Sequence, residues 1–416
     1  MRKILLASSA LVGVAMLAAP AFAGDLTVKL SGSDTAMLSF NDHTGTAVGG
    51  FDGGTTTTQA ADDKSNSVDM QNLFDINVSV EGKGSNNLDY GAFISIWNGP
   101  SVQNGWGSIG GAGTANQAFS NDAYVWMSNN WGKVMFGDAH GASDLFVYAP
   151  TVGTNQIDGY YQQFENLNRD WRALPTFIDN NESSTRITYY TPKISGFQGG
   201  LSWTPNLYSQ GMTNNSTVGA FPTTATFGNM YDNQVEGALG WSGSYDKANI
   251  KVTGLATTAE SNNDVQFLGT HPLATDYLTL GLGGQVNFAG FTVGGSYSNG
   301  GHYDAAKGQD KPQDMWTAGV KYDMDKASFA INGEMGEGYD IAWGVGGGIA
   351  KENPTFQAPL NSDYIRSYDA LGFGATYTWF PGLVSGVDVV FFNQDGEYSS
   401  EGDSGVVAIL SQRVNF

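Results

Sequence analysis

The chain has 416 residues and a formal charge of −21, from 40 acidic against 19 basic residues, which makes it a poor partner for nucleic acid. It has no cysteine, so a disulfide scaffold and thiolate metal sites are excluded, and His43, His140, His271 and His302 stand at no ligand spacing to one another. Beyond the first residues no segment supplies about 18 consecutive apolar residues, which excludes a helical span, while 23 Phe, 19 Tyr and 10 Trp argue against an unfolded chain.

At the start, Arg2 and Lys3 precede an apolar run from Ile4 to Ala19, and Ala21-Phe22-Ala23 follows as a small-x-small cleavage site. This is the layout of an export signal. Residues 1–23 are expected to be removed after Ala23, leaving 24–416 as one domain. Loss of Arg2 and Lys3 takes the charge from −21 to −23.

From there the signal is alternation with period two. Leu371, Phe373, Ala375, Tyr377 and Trp379 share one face, against Gly372, Gly374, Thr376 and Thr378 on the other. Ile187 and Tyr189 oppose Arg186, Thr188 and Tyr190; Phe197, Leu201 and Trp203 oppose Gln198, Gly200 and Ser202. The polar face is Gly, Ser, Thr and Asn with isolated charges, where a soluble sandwich would carry more Lys and Glu. Strands are predicted near 25–40, 68–82, 88–98, 120–130, 132–137, 184–193, 197–206, 231–243, 248–260, 274–288, 290–299, 314–323, 326–336, 365–379, 383–394 and 404–416. That makes sixteen; an independent strand at Ile341 to Val345 would raise the count to eighteen.

Short turns alternate with long polar excursions near 41–67, 99–119, 138–183, 207–230, 261–273, 300–313, 337–364 and 395–403. That layout, an even strand number and apolar outward faces fit an antiparallel β-barrel crossing an outer membrane. Backbone groups left unpaired in hydrocarbon cost several kcal/mol each, so the sheet must close. The final strand, ending at Phe416, is expected to pair with Leu26 to Ser31. Trp97, Tyr124, Trp126, Trp203, Trp241, Tyr277, Trp316 and Trp379 lie near strand ends and suit the interfacial girdles.

Three stretches carry a family resemblance. Ala123 to Gly137 (AYVWMSNNWGKVMFG) and Ser184 to Gly200 (STRITYYTPKISGFQGG) resemble hairpins that flank the constriction loop of Gram-negative trimeric porins, and the C-terminal Phe416 matches the signal read by the barrel-assembly machinery. The resemblance spans the whole chain. It implies a homotrimer in outer-membrane lipid and lipopolysaccharide, a water-filled channel for small hydrophilic solutes, and a third loop whose carboxylates face basic residues on the wall. One departure is the scarcity of early cations: after the leader only Lys29 precedes Lys64.

The residues of that loop have their own logic. The 138–183 connection is too long for a structureless linker, and Leu145, Phe146, Tyr148, Tyr160, Phe164, Trp171 and Phe177 need burial. Folding it into the lumen meets that need; an external lid or a subunit-contact loop is the alternative. Its acids Asp144, Asp158, Glu165, Asp170, Asp179 and Glu182 are the expected constriction carboxylates, with Arg169 and Arg172 among them. Lys29, Lys133, Arg186 and Arg413 take lumen parity and are the expected basic wall; Lys83, Lys251 and Lys321 share that parity.

No Gly-x-Ser-x-Gly elbow or His-Glu-x-x-His is present, so catalysis is not expected, nor is a cofactor. Asp304 to Asp314 does not match the calcium-loop pattern. The leading expectation is a general diffusion channel with weak-to-moderate cation preference. A substrate-specific channel, for sugars or another nutrient, and a structural or adhesive barrel are the alternatives.

Overall fold

The computed structural model describes residues 26–43, 67–97, 119–153, 184–206, 231–261, 266–267, 271–272, 276–301, 313–339, 365–395 and 403–416. Sixteen antiparallel strands close into a barrel, each paired with its neighbours in sequence. They are β1 (Thr27–His43), β2 (Val68–Lys83), β3 (Asp89–Trp97), β4 (Phe119–Asn129), β5 (Gly132–Asp138), β6 (Thr185–Tyr190), β7 (Phe197–Asn206) and β8 (Tyr231–Tyr245). After them come β9 (Ala248–Ser261), β10 (Tyr277–Phe288), β11 (Phe291–Gly301), β12 (Gln313–Met324), β13 (Ala327–Tyr339), β14 (Ile365–Phe380), β15 (Leu383–Asp395) and β16 (Asp403–Asn415). Residues 266–267 pair with 271–272 in a separate two-stranded sheet. The segment Ile341 to Val345 lies outside the described residues, as do residues 1–25.

Turn chemistry fixes the short rim. Between β10 and β11, Ala289 and Gly290 both hold positive φ, at 52° and 86°, the backbone twist a two-residue hairpin requires. The opposite rim carries the long connections.

Closure joins β16 to β1, at a different height from the one expected. Ser33 pairs with Asn415 and His43 with Gly405, while Thr27 to Ser31 pair with β2. The offset is the stagger that tilted strands need in order to close. Phe416 completes the seam through paired backbone bonds with Gly32, Gly32 N–H to Phe416 O at 2.9 Å and Phe416 N–H to Gly32 O at 3.0 Å. A Cβ on Gly32 would stand 2.9 Å from the Phe416 ring, so the glycine makes room for it.

The barrel is apolar outside and polar inside. Leu278, Leu280, Leu282, Val286 and Phe288 of β10 are exposed, whereas Tyr277 and Thr279, on the other face, are buried. The same alternation runs through β8, where Val235 and Leu239 are exposed and Gln234, Glu236 and Ala238 buried. Such an exterior is stable in hydrocarbon rather than water. The inward faces of β1, β2 and β14 to β16 break the pattern: Met37, Leu73, Tyr368, Ala370, Val390, Phe392, Val407 and Ile409, with Met315 of β12, form a buried apolar cluster.

The expected aromatic girdles divide in two. Trp203, Trp316 and Trp379 are exposed outward, and Trp241 lies outward against Phe197, with ring centroids 6.4 Å apart. Tyr277 is instead buried inside, and Tyr124 and Trp126 share the inner face with Phe93. Trp97 also has inward parity, opposite Asp75. Nearness to a strand end sets an aromatic's height, and parity sets its face; the two are independent.

Candidate pore-lining site

After β5 the chain turns onto the inner face. Ala142–Leu145 form a short 3-10 turn, and residues 139–153 run across inward-facing side chains of successive strands. The wall meets this segment with a series of hydrogen bonds to its backbone. Thr188 of β6 donates to His140 O (3.2 Å), and Tyr190 to Gly141 O (2.6 Å). Ser202 of β7 accepts from Ala142 N–H (3.2 Å), and Thr253 of β9 donates to Leu145 O (2.8 Å). Further round, Gln285 of β10 donates to Tyr148 O (2.7 Å), Thr317 of β12 accepts from Ala149 N–H (3.2 Å), and Asn332 of β13 donates to Pro150 O (3.3 Å). A backbone segment with little regular structure of its own needs partners for its N–H and C=O groups, and the inward hydroxyls and amides supply them.

Glycines in the wall give the segment its path. A Cβ at Gly283 would overlap Val147 O, one at Gly281 would stand 2.8 Å from the Phe146 ring, and one at Gly200 would stand 3.1 Å from the Ala142 methyl. Phe146 and Ala142 pack with Ala238 and Leu255 into a second buried apolar cluster.

At the root of the segment sits a buried ion pair. Arg186 Nη1 lies 2.9 Å from Glu236 Oε1, with side-chain exposures of 0% and 2%. The other carboxylate oxygen accepts from Ser143 N–H (3.2 Å), Ser143 Oγ (3.1 Å) and Ser202 Oγ (3.0 Å). Burying two charges is tolerated only with the remaining lone pairs satisfied, and here the segment itself satisfies them. Gly141 is required at this point, because a Cβ there would overlap both Glu236 and Arg186.

His140 stands beside the root, 3.6 Å from Asp122 and 3.2 Å from Asp144. Hydrogen bonding to Asp122, then to Asp144, pushes its pKa up to about 11, and burial opposes that only in part. It is therefore a fixed cation at neutral pH.

The sequence-predicted residues fall into three groups. Lys133, Arg186 and Asp144 gather around the root of the segment. Lys133 is on the inner face, its ammonium 5.2 Å from the Trp126 ring centroid. Arg186 has the expected inward parity, but it is enclosed rather than set on an open wall, because Glu236 and residues 141–143 close over it. Asp144 is exposed and paired with His140. Lys29 and Arg413 lie apart: Lys29, on the part of β1 that pairs only with β2, bonds to Glu81 at 2.7 Å, and at the β1–β16 seam Arg413 Nε donates to Thr35 Oγ1 at 3.0 Å. Asp158, Glu165, Asp170, Asp179 and Glu182 lie outside the described residues. Sequence reasoning missed Glu236, Asp122 and His140. Glu236 was within reach of the parity rule, as a lone acid between the outward Val235 and Gly237.

Comparison with known proteins places this geometry. The chain is 21% identical over 359 residues to an uncharacterized protein of Rickettsia conorii, covering 71% of this chain and 76% of that one. A protein of Rickettsia prowazekii, also uncharacterized, is 22% identical over 365 residues with the same coverage. Among solved structures, an anion-selective porin from Comamonas acidovorans matches with TM-score 0.55 at 13% identity, over 94% of this chain and 100% of that one. The outer membrane protein OmpT of Vibrio cholerae, in a trimer form, matches with TM-score 0.54 at 11% identity and the same coverage. These likenesses concern the fold. The family model described as Gram-negative porin matches residues 7–399, nearly the whole chain, and with the closed, apolar-faced barrel it settles the matter: this chain belongs to the Gram-negative porins, outer-membrane channels and not enzymes.

Proposed function

We propose that this porin is a general diffusion channel with weak-to-moderate cation preference, and that the 138–183 connection forms its constriction. The observation that carries the reading is the run of residues 139–153 along the polar inner face from β6 to β13. A segment bonded to the wall in this way narrows the bore at its own height. Within 139–183 the sequence has six acids, Asp144, Asp158, Glu165, Asp170, Asp179 and Glu182, against two arginines, Arg169 and Arg172. His140 is shared between Asp122 and Asp144, so that cluster keeps one net negative charge and the other five acids of the connection add to it. The similar fold of a porin described as anion-selective agrees with selectivity residing in side chains rather than in the barrel.

The working unit in this reading is a homotrimer. A membrane-spanning strand needs about 9–11 residues, yet β5 has 7 and β6 has 6. The outer face above these short strands calls for cover by protein. On β1 and β2, separated from β5 by β3 and β4, Asp34 and Asn72 face outward in a hydrogen bond of 2.5 Å, a polar pair that suits a subunit contact better than lipid. The leader 1–23 is removed on export, Phe416 is read by the barrel-assembly machinery, and the lipid-facing outer wall meets outer-membrane lipid and lipopolysaccharide.

The test is single-channel recording under a potassium chloride gradient. The wild type should show a reversal potential of cation-preferring sign. Exchanging Asp158 and Glu165 together for Asn and Gln should move it toward anions, and the shift should shrink at high salt. Unchanged selectivity with conductance intact would remove those two acids from the constriction. Native mass measurement in mild detergent should find three copies, and a conducting monomer as the sole species would refute the trimer.

A further inference from the structure

Beneath the segment, on the side of the short turns, the inner wall forms a recess of about 710 Å³. Phe146 to Thr151 roof it, and Asn249, Lys251, Gln285, Asn287, Thr292, Lys321 and Asp323 line it. The register explains why they share one stretch of wall. Asn249, Asn287, Thr292 and Lys321 form one row across β9 to β12, and Lys251 and Gln285 belong to the next inward row.

The lining is rich in donors. Lys321 Nζ lies 3.0 Å from Asp323, whose carboxylate also accepts from Ser328 Oγ at 2.7 Å. That pairing orients the lysine and leaves further N–H groups of its ammonium unspent. Lys251 is exposed and has no hydrogen-bond or ion-pair partner among the described residues. The Asn249 carbonyl accepts from Ser244 Oγ at 2.7 Å, so the amide has its donors left. Asn287 donates to Thr292 Oγ1 at 2.8 Å, and Gln285 holds the roof through Tyr148 O at 2.7 Å. Two lysines and two amides thus face a recess with a single carboxylate, itself already engaged. Low-dielectric walls concentrate the field of the uncompensated charge.

We propose that this recess is a binding subsite for small dicarboxylates, one carboxylate taken by Lys251 and the other by Lys321, with Asn249 and Asn287 as hydrogen-bond donors. Lys251 of β9 and Lys321 of β12 stand three strands apart, roughly 14 Å across the sheet, are offset by two residues in register, and both line the recess. In the proposed complex their long, flexible side chains fold over the recess, and a four-carbon diacid bridges the two ammonium groups. The proposal rests on the channel reading and deepens it: an otherwise general pore holds one class of solute on its short-turn side.

Succinate added on the short-turn side should block current saturably at millimolar concentration, and the neutral diamide succinamide should not. Lys251→Gln should raise the half-blocking concentration roughly tenfold, the loss of one charge-assisted contact. Lys251→Gln/Lys321→Gln should abolish the block. Calorimetric titration of succinate into the detergent-folded protein reads the same site without conduction. Lysine-dependent binding in a protein that passes no current would overturn the channel reading and leave the subsite standing. Binding or block unaltered in the double variant, or no succinate binding by the wild type, would overturn the subsite.

Discussion

From β6 to β13 the inner face of the barrel is mainly polar, and its Thr, Ser, Gln and Asn side chains bond to the backbone of residues 139–153. From β14 through β16 to β1 and β2 the inner face includes a buried apolar cluster in which Met37, Leu73, Val390, Phe392 and Ile409 take part. The outer face is apolar on both sides. The difference follows from what each inner wall meets. Backbone amides and carbonyls demand hydrogen-bond partners, whereas side chains buried among side chains gain from apolar area. The two walls should therefore fail differently when altered.

The largest effect is expected at the root of the segment. Arg186→Met leaves Glu236 as a buried charge without its guanidinium, a loss of about 3–5 kcal/mol. Urea titration of the folded barrel in detergent should read it, together with faster proteolysis within 139–153, since Ser143 hangs on the same carboxylate. The double change Arg186→Met/Glu236→Leu should recover part of the stability without restoring protection of the segment. If the single variant is as stable as wild type, the ion pair does not anchor this wall.

On the apolar wall the outcome should separate stability from segment order. Met37→Ala removes a buried side chain from the cluster and should cost about 2–5 kcal/mol. Because Met37 belongs to this cluster and makes none of the hydrogen bonds to residues 139–153 given above, proteolysis of 139–153 under native conditions should stay at the wild-type rate. Faster cleavage in this variant would mean that the two walls act as one unit.

This contrast also marks what the sequence made legible. Strand number and the approximate bounds of all sixteen strands followed from alternation and turn residues, and parity placed Lys29, Lys133, Arg186 and Arg413 inward. In the first half of β16 alternation fades, since Val407 and Ile409 face inward between the outward Val406, Ala408 and Leu410. Alternation detects two unlike faces, and there the faces are alike. The Arg186–Glu236 pair was out of reach for another reason. The residues lie fifty positions apart, and parity gives direction without height or distance. Small residues in Ala139-His140-Gly141-Ala142-Ser143 were the local sign that the backbone runs close against a wall there.

A smaller change is expected for one rung of the polar wall. Thr253→Val keeps the shape and removes the donor to Leu145 O, so a part-buried carbonyl loses its partner at about 1 kcal/mol. The other rungs remain, and the segment should stay in place. Conductance close to the wild-type value with slightly lower urea resistance is the expected result. A large conductance change would show that single bonds, not the whole series, set the segment's position.

The smallest effect concerns pH. A histidine usually titrates between pH 5 and 8, and one on the inner wall of a pore would ordinarily make selectivity vary across that range. Here Asp122 and Asp144 raise the His140 pKa from 6.5 to about 11. A raised pKa stabilises the folded state most fully below the unfolded value, and the contribution is lost as pH rises from about 6.5 toward 11. Its charge should therefore be constant from pH 5 to about 8, and reversal potential across that interval should show no titration from His140. Above about pH 9 its share of the stability should have begun to fall, first in the wild type and not in His140→Gln. A selectivity step near pH 6.5 that disappears in His140→Gln would show that the imidazole titrates freely, and that the Asp122–His140–Asp144 cluster is not held closed at the mouth of the polar wall.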